Sequence, residues 1–228
     1  MTIESAERLD AVLAAAKARG NHLIGYKTAL LAPEAQRRLG AAGPVWGVLT
    51  DDMAINDGDE FDLSTVASAK AEVELVFQLG SDLVGPGVTE ADVLAATAAV
   101  YAGIEIPSVP RGAEPPTRVG DYLACNALAA GYVLGCAVTG FHDIDMSLVG
   151  AVLEVDGDIV SSGAGAQVLG NPVRAVAWLA NRLARHGKEL HAGMVVFTGG
   201  LAAGVALAPG QSVAAEIAHV GRVAFRTA

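Results

Sequence analysis

The sequence predicts an α+β protein in which helical patterns dominate the first part of the chain and short strands dominate the last third. An alanine-rich stretch at 5–19 has the composition of a helix, and Lys70–Leu79 alternates apolar with charged residues as a half-buried strand does. From Leu148 onward, short β-branched runs are separated by turn residues, as in strands joined by hairpins. The chain has no internal repeat, low-complexity region or long linker, so we expect residues 1–228 to form one domain.

The first part of the chain alternates predicted helices with predicted strands. Glycines follow both helices and Pro33 opens the second, because proline is favoured in a first helical turn and glycine just after a last one. The apolar strand that begins at Pro44 runs into Asp51 and Asp52, which we interpret first as a turn. The predicted elements are helix 5–19, strand 22–27, helix 33–39 and strand 44–50.

The remainder of the chain changes gradually from helices to strands. Thr89 and Asp92 together form a helix-start signal, and Asp156-Gly157 between two apolar runs indicates a hairpin. The glycine-rich segment 161–170 lacks both the Lys-Ser/Thr end of a phosphate loop and the glycine spacing of a dinucleotide-binding fold. The predicted elements are strand 70–79, helix 89–100, apolar segment 102–106, helix 121–134, strands 149–155 and 159–160, loop 161–170, helix 173–186, and strands 194–201 and 213–225.

The composition describes a foldable, acidic chain. Hydrophobic residues make up 52% of the 228 residues, enough for a core. The formal net charge of −10 argues against a nucleic-acid partner, which needs a basic surface. Two cysteines, Cys125 and Cys136, are too few for a disulfide framework. The N-terminus lacks the basic and apolar regions of a signal peptide. The longest apolar run is interrupted by polar and glycine residues, unlike a membrane span. We therefore expect a cytoplasmic protein that binds small molecules and no membrane.

Glu72 and Glu74 lie two residues apart in the strand at 70–79, so both side chains point to the same face. Adjacent carboxylates repel each other unless a cation lies between them, and hard divalent ions such as Mg²⁺, Mn²⁺ and Ca²⁺ prefer oxygen ligands. A metal site is one interpretation. A solvent-facing edge of an antiparallel strand is the other, because Glu-x-Glu is common on such surfaces.

Three further polar residues lie in apolar surroundings. Lys27 is the only formally charged residue between Arg19 and Glu34, and it either reaches the surface along its own methylene stem or faces an anionic substrate. Glu105 lies between two isoleucines, either on the wet face of a strand or held by a partner. Asn126 needs hydrogen-bond partners if it is buried.

Seven short segments occur in an order that resembles one protein family: Ile24–Lys27, Gly47–Asp51, Glu72–Glu74, Gly85–Thr97, Gly163–Pro172, Ala175–Asn181 and Thr198–Gly200. Together they make the chain similar to the hydratase and decarboxylase branch of the fumarylacetoacetate hydrolase superfamily. The resemblance covers nearly the whole chain from about residue 12, and the helical segment at about 1–20 is shorter than is usual in this family.

The resemblance implies a mixed β-roll or barrel with helices packed outside. It also implies that Glu72, Glu74 and Glu105 bind Mg²⁺ or Mn²⁺, and that this ion binds the carboxylate and 2-oxo oxygens of a keto acid. Lys27 and Asp51 are implied as catalytic groups beside the substrate. A lysine near a cation and apolar groups can have a lowered pKa and move protons.

The implied activity is metal-dependent hydration of a 2-hydroxy-2,4-dienoate (a 2-oxo-4-enoate) to a 4-hydroxy-2-oxo acid in the meta-cleavage breakdown of aromatic compounds. Three alternatives remain: a 4-oxalocrotonate-type decarboxylase, which Gly199-Gly200 favours, a repurposed keto-acid tautomerase, hydrolase or cyclase, and a catalytically silent partner subunit. We expect substrate contacts at Asn126, Gly199, Gly200 and Leu201. A homo-oligomer is also expected, with a sibling hydratase or decarboxylase as a further partner.

Four positions depart from the family pattern. Ser108 occupies the position of an aspartate that usually follows the third glutamate, and Cys125 occupies that of an aspartate before the asparagine. Gly200 stands where hydratases tend to have serine, and Ala202 replaces a threonine. Because polar neighbours orient metal ligands, we expect these changes to alter substrate preference or weaken turnover.

Overall fold

The computed structural model describes residues 3–228, with side chains from residue 7 onward. Its described residues form five α-helices and fifteen strands. The helices are α1 Ile3–Ala18, α2 Pro33–Leu39, α3 Glu90–Ala96, α4 Val119–Ala124 and α5 Pro172–Ala184. The strands are β1 Leu23–Ala29, β2 Val45–Thr50, β3 Ala54–Ile55, β4 Glu60–Phe61, β5 Val66–Ala67, β6 Lys70–Leu79, β7 Thr97–Pro107, β8 Val109–Pro110, β9 Ala129–Leu134, β10 Gly150–Val155, β11 Asp158–Ala164, β12 Val195–Gly200, β13 Val205–Ala206, β14 Ser212–Ile217 and β15 Gly221–Thr227. Among the helices so described, none combines the length and apolar character needed to cross a bilayer.

The larger sheet is mixed and curls into a half-barrel, which confirms the predicted α+β class and β-roll architecture. Its strand order is β2-β1-β12-β6-β7-β9-β3, and β13 also pairs with β6. The two longest strands, β6 and β7, are antiparallel neighbours at its centre. β12 lies between β1 and β6, parallel to the first and antiparallel to the second. The glutamate strand predicted from the sequence is therefore the middle of the sheet and not a solvent-facing edge.

The smaller sheet has the order β11-β10-β14-β15-β4, and β5 and β8 form a separate two-stranded pair. One hydrophobic cluster joins the two larger sheets, because it contains Val73 and Leu75 of β6 together with Leu153 of β10 and Phe225 of β15. The predicted hairpin between β10 and β11 is confirmed. Asp156 and Gly157 both have positive φ, as a two-residue type I′ turn requires.

Strand β6 has two faces of different chemistry. One face carries only apolar side chains and enters the large core, and its members are Ala71, Val73, Leu75, Phe77 and Leu79. The opposite face carries Glu72, Glu74 and Val76, with Val76 packed in a second, smaller cluster beside Phe197. Two-residue alternation along the strand therefore separates a hydrophobic core from a polar site.

The predicted helix at 121–134 is wrong, because α4 ends at Ala124 and the chain then changes to strand β9. A single 3₁₀ turn, Asn126–Leu128, connects them, and all three of its residues have positive φ. The side chain of Asn126 bonds to the backbone of β2, and β9 pairs with β7. These tertiary bonds outweigh the helix propensity of an alanine-rich segment.

The predicted helix at 89–100 is correct at its start and wrong at its end. Thr89 and Asp92 form the expected capping box at the start of α3. The helix stops at Ala96, and Thr97 begins β7, with its hydroxyl bonded to the carbonyl of Val93. Alanine has only a weak preference against strands, so pairing with β6 decides the structure of 97–100.

The glycine-rich segment 161–170 is not a free loop, because β11 continues to Ala164 and a 3₁₀ turn, Gly165–Gln167, follows. Its glycines permit close packing. A Cβ at Gly163 would lie 2.0 Å from the carbonyl oxygen of Leu201, and one at Gly165 would lie 1.8 Å from that of Met146. The glycines of this segment therefore indicate close contact between backbones, and not a phosphate-binding loop.

Candidate metal centre

Pairing of β6 with β7 brings three carboxylates together. Glu72 lies directly opposite Glu105 in the antiparallel register, and Glu74 lies one period further along the same face of β6. Each of the three offers an oxygen within 4.8 Å of the others. Glu74 and Glu105 are fully buried, and Glu72 is half-buried. The sequence-predicted ligands therefore converge from two strands on one point.

The electrostatics of the cluster favour a bound cation. Burial, followed by the charges of Glu105 and Glu72, raises the pKa of Glu74 well above its usual value, although Lys27 opposes the shift. Burial also raises the pKa of Glu105, to about 7, against the attraction of Lys27. Three carboxylates in a low-dielectric site repel one another, and a divalent ion would relieve that repulsion.

The hydrogen bonding of the Glu74 carboxylate is that of a metal ligand. Its Oε2 accepts a hydrogen bond from the backbone N–H of Gly199 at 2.7 Å, whereas its buried Oε1 has no hydrogen-bond partner among the described residues. A buried carboxylate oxygen without a partner is costly unless it binds an ion. Hard oxygen donors are the ligands that Mg²⁺ and Mn²⁺ prefer, so the three glutamates fit such a group.

Glycines at the end of β12 and in the loop that follows it shape the metal centre. Gly199 has a φ of +102°, and a Cβ there would lie 2.3 Å from Cδ1 of Leu31, so only glycine can present this N–H to Glu74. A Cβ at Gly204 would lie 2.9 Å from Oε1 of Glu72. Small residues therefore leave the carboxylates free to approach one another.

Lys27 is buried beside the cluster and does not reach the surface. Its Nζ lies 2.8 Å and 2.9 Å from Oε1 and Oε2 of Glu105. Burial alone would lower the pKa of Lys27, but the charge of Glu105, with smaller contributions from Tyr122, Glu72 and Glu74, raises it above its usual value. Without a bound cation, the carboxylates therefore outweigh desolvation at Lys27, and the lowered pKa expected beside a metal ion stays a prediction.

A cavity of about 480 Å³ opens onto the cluster. Its volume suits a small organic ligand. Lys27, Glu72, Gly199 and Gly200 line it, as the predicted site requires. Its other lining residues are Thr28, Ala29, Leu30, Leu31, Ala32, Ala35, Arg38, Ser68, Lys70, Pro107, Tyr122, Leu128, Gln167, Ala202 and Ala203.

Several of these lining residues were missed from the sequence. The hydroxyl of Thr28 is buried and has no hydrogen-bond partner in the part of the chain described, so it is available to a ligand. Tyr122 lies near the charged cluster, and burial raises its pKa to about 12, so its phenol stays protonated. Lys70 follows the same two-residue period as Glu72 and Glu74, a signal that could have identified it.

Asp51 is not brought to the cluster. Lys27 pairs with Gly47, whereas Asp51 follows the far end of β2, about 13 Å along the strand at the usual rise per residue. Its carboxylate accepts a hydrogen bond from the backbone N–H of His22 at 2.9 Å and lies 3.1 Å from Nδ1 of the same residue. The N–H bond lowers the pKa of Asp51. Asp51 begins a 3₁₀ turn, which agrees with the turn interpretation and not with a place beside Lys27.

Asn126 and Leu201 lie outside the cavity lining. The amide of Asn126 accepts from the N–H of Val48 at 2.9 Å and donates to its carbonyl at 2.8 Å, so it connects α4 and β9 to β2. Leu201 is fully buried, and its N–H bonds to the carbonyl of Val73. Their geometry indicates structural roles, in contrast to the expected substrate contacts.

Of the four positions that depart from the family pattern, two line the cavity and two lie outside it. Ser108 donates a hydrogen bond to the carbonyl of Ala67 at 2.8 Å and does not line the cavity. Cys125 is half-buried and also lies outside it. Gly200 and Ala202 do line the cavity, so the loss of side-chain hydroxyls at these two positions widens it and makes it less polar.

Comparisons with known proteins agree with this geometry. A 4-oxalocrotonate decarboxylase of Pseudomonas putida is 35% identical over 208 residues, which are 91% of this chain and 78% of that enzyme. A 2-keto-4-pentenoate hydratase of Burkholderia vietnamiensis is 38% identical over 207 residues, 91% of this chain and 79% of that enzyme. Both relatives are named as lyases.

A solved structure extends the likeness to three dimensions. The 4-oxalocrotonate decarboxylase from Pseudomonas putida G7, complexed with magnesium and adipate, matches with a TM-score of 0.89 at 31% identity, covering 100% of this chain and 87% of that chain. The family model described as fumarylacetoacetate (FAA) hydrolase C-terminal matches residues 24–227. The chain therefore belongs to the fumarylacetoacetate hydrolase family.

Proposed function

We propose that this protein is a metal-dependent lyase that hydrates a 2-hydroxy-2,4-dienoate, or 2-oxo-4-enoate, to a 4-hydroxy-2-oxo acid. The observation that carries the proposal is the convergence of Glu72, Glu74 and Glu105 beside a buried lysine and an open cavity. Relatives named as a hydratase and as decarboxylases support the reaction class.

Glu72, Glu74 and Glu105 would hold the ion, which we propose is Mg²⁺ or Mn²⁺. When bound, a divalent ion supplies electrostatic stabilisation for negative charge on the oxygens of a 2-oxo acid. Glu72 faces the cavity, so the ligand-binding side of the centre is the side open to substrate. Glu74 and Glu105 lie behind it and exclude water from the rear of the site.

Lys27 is the proposed proton carrier. It lines the cavity, is held by Glu105, and keeps its proton until a reacting group accepts it. Hydration requires a proton on carbon and a hydroxyl on the neighbouring carbon, so a buried ammonium next to the substrate can supply the first of these. The hydroxyl of Thr28 and the phenol of Tyr122 are available to orient the substrate oxygens.

Decarboxylation of a 4-oxalocrotonate-type acid, a 2-oxo diacid with one alkene, is the second candidate. Gly199 and Gly200 both line the cavity, and the Gly-Gly pair is the feature of this loop that resembles decarboxylases. The matched decarboxylase structure holds magnesium and a dicarboxylate, adipate. Both reactions would use the same metal ligands and the same lysine.

Incubation of the purified protein with Mg²⁺ and 2-hydroxypenta-2,4-dienoate tests the first candidate. We expect the dienol absorbance to fall as a 4-hydroxy-2-oxo acid forms, and EDTA to stop the reaction. Release of CO₂ from 4-oxalocrotonate would assign the second candidate. If neither reaction occurs, with the protein alone or with a sibling hydratase or decarboxylase present, the lyase proposal is contradicted.

We also propose that the protein forms a homo-oligomer. Leu148 and Ile159 are 76% and 64% exposed, and Ile159 belongs to β11, which is an edge strand of the smaller sheet. Exposed aliphatic side chains on a strand edge are typical of surfaces that bind another chain. A monomeric mass in analytical ultracentrifugation would contradict this proposal.

A further inference from the structure

The phenol of Tyr122 is a polar group at the cavity that has no hydrogen-bond partner among the described residues. The residue is only 9% exposed, so most of its side chain is buried. The described side-chain atoms that lack both a partner and contact with solvent are Oγ1 of Thr28, Oε1 of Glu74 and Nε of Arg182, and the phenol oxygen is not one of them. The oxygen of Tyr122 therefore meets the open space of the cavity that this residue lines.

The packing of α4 holds this side chain in position. Leu123 is fully buried, and the ring of Tyr122 belongs to the same large hydrophobic cluster. The C-terminal end of α4 is joined to β2, because the amide of Asn126 bonds to both backbone groups of Val48. Close packing of the ring and a fixed helix end thus hold the phenol in place without a bond to its hydroxyl.

The phenol lies beside the charged groups of the metal centre. Burial raises the pKa of Tyr122 to about 12, Lys27 opposes this shift, and Glu105, Glu72 and Glu74 add to it. The phenol therefore keeps its proton near neutral pH. Three carboxylates are close enough to exert this effect, and Tyr122 bonds to none of them. Its hydroxyl is therefore not needed to orient the three glutamates.

The missing partner of this hydroxyl is a hydrogen-bond acceptor. A protonated phenol can donate, and the ammonium of Lys27 has no lone pair with which to accept. Glu105 already accepts from Lys27 through both of its carboxylate oxygens. An oxygen of a ligand in the cavity would complete the bonding of the phenol, and a negatively charged oxygen would do so most strongly.

The electrostatic effects on Lys27 place the phenol on one side of the centre. Tyr122 acts on the pKa of Lys27 more strongly than Glu72 or Glu74 does, and Glu105 is the one titratable neighbour that acts more strongly still. The phenol therefore lies on the Lys27 side. Lys27 is the proposed source of the proton that is added to carbon, so the reacting part of the substrate would lie on this side as well.

One oxygen of the proposed substrate gains and then loses negative charge. When a 2-hydroxy-2,4-dienoate converts to its 2-oxo form, the 2-hydroxyl releases a proton to solvent and a carbon of the diene takes one up. The number of protons is unchanged overall, and the 2-oxygen is negatively charged between the two transfers. A hydrogen bond that strengthens at this stage lowers the barrier, whereas a bond of equal strength throughout the reaction does not.

We infer that Tyr122 is a catalytic residue whose hydroxyl donates a hydrogen bond to the 2-oxygen of the substrate and stabilises the negative charge that develops there. This assignment rests on the proposed function, since it assumes that a 2-oxo acid binds at the metal centre. It gives the phenol a contact with one particular oxygen, at the stage of the reaction when that oxygen is charged.

Binding of two small acids tests the assignment without turnover. Oxalate carries a negative oxygen where pyruvate carries a neutral 2-oxo oxygen, so the pair compares the charged and uncharged states of that position. Calorimetric titration into Mg²⁺-loaded protein should show that Tyr122→Phe weakens oxalate binding about tenfold or more and pyruvate binding about threefold or less, because hydrogen bonds to charged groups are the stronger ones. In turnover of 2-hydroxypenta-2,4-dienoate, the variant should lower kcat about tenfold and leave KM within about twofold.

Two controls separate this contact from a structural effect. Tyr101→Phe makes the same chemical change on β7, where the phenol bonds to Gln78 and does not line the cavity, so it should change neither affinity. Titration of Mg²⁺ alone into Tyr122→Phe should give an affinity within about twofold of the wild type, because the hydroxyl bonds to none of the three glutamates.

The outcomes distinguish failure of this assignment from failure of the proposed function. A selective loss of oxalate affinity in Tyr122→Phe supports the assignment. Equal changes for both acids, including no change for either, or weakened binding of Mg²⁺ alone, would overturn it and leave the metal site standing. If neither acid binds the wild type in a Mg²⁺-dependent manner, the proposed function and the role of Tyr122 both fail.

Discussion

Single residues of the metal centre are held in an unfavourable electrostatic state. Glu74 and Glu105 are buried close to each other and to Glu72, and the pKa of each is raised by burial and by neighbouring negative charge. Lys27 relieves Glu105 directly, whereas Oε1 of Glu74 has no partner in the region that the structure describes. Binding sites commonly contain such locally unfavourable groups, which ligand binding then stabilises.

Substitution Glu74→Gln should abolish the stabilisation that Mg²⁺ gives to the fold. The amide keeps the shape of the side chain and removes one ligand charge, so the metal-free protein should remain folded with a melting temperature no lower than that of the wild type at pH 8. Thermal melts with and without Mg²⁺ measure both effects. Glu114→Gln is the control, because Glu114 is exposed and outside the cluster. An unchanged Mg²⁺ response in Glu74→Gln would exclude Glu74 as a ligand.

The stability of the metal-free protein should depend on pH through the same carboxyls. A raised pKa means that the folded state binds protons more tightly than the unfolded state, so stability from these groups is greatest below the ordinary value of 4.5. It should fall as the pH rises through 4.5 towards about 7, the pKa of Glu105.

Mg²⁺ competes with those protons, so the rise in melting temperature on adding Mg²⁺ should be larger at pH 8 than at pH 5.5. Differential scanning calorimetry at the two pH values measures this. A Mg²⁺ effect that is equal at both values would contradict the account of Glu74 and Glu105.

Substitution Lys27→Met should reduce kcat by about 10²-fold or more at saturating Mg²⁺, because it removes the proposed proton carrier and keeps the apolar stem. Saturating Mg²⁺ is needed because loss of the lysine removes a charge that opposes protonation of Glu105. Lys17→Met changes an exposed lysine of α1 and should leave kcat unchanged. A normal rate in Lys27→Met would remove Lys27 from the mechanism.

Elements differ in how well the sequence predicts them, and the reason is physical. The alternation in β6 depends on local side-chain placement, so it predicted both the strand and the common face of Glu72 and Glu74. The segment that became β9 is alanine-rich and looks helical, but its structure depends on pairing with β7, which is distant in sequence. Likewise, no local pattern reveals that β6 and β7 pair with Glu72 opposite Glu105. Family resemblance supplied the third ligand, and the sequence alone did not.

The same limit explains the residues that were misplaced. Lys27 lies in β1 and Asp51 directly follows the neighbouring strand β2, but the antiparallel register puts them at opposite ends of the pair. A position in a motif does not reveal this separation. Thr28 and Tyr122 were missed because their place in the site depends on the shape of the cavity.

Asn126 gives a prediction for the junction of α4 and β9. Asn126→Ala would leave the buried N–H and carbonyl of Val48 without partners, so we expect the free energy of unfolding to fall by about 1–3 kcal/mol. Affinity for a 2-oxo acid should stay within about twofold in the folded protein, because the amide does not line the cavity. Urea denaturation and calorimetric titration measure the two quantities. Unchanged stability with weakened ligand binding would instead restore Asn126 as a substrate contact.

At the scale of the whole molecule, the fold places an open polar site on the opposite face of β6 from the main core. The two larger sheets share one hydrophobic cluster, and on this basis we propose that the chain is a single catalytic domain. Strands β1, β6, β7 and β12 are adjacent in the larger sheet, and each contributes to the metal centre or the cavity. The site therefore depends on the curled sheet as a unit.

The central claim is that Glu72, Glu74 and Glu105 together bind one divalent ion. Anomalous diffraction from crystals soaked in Mn²⁺ tests it most directly, because the signal locates the metal independently of the protein density. The account predicts one strong peak at about 2.2 Å from an oxygen of each of the three glutamates, beside the cavity. A fully occupied peak elsewhere, with these three carboxylates uncoordinated, would contradict it.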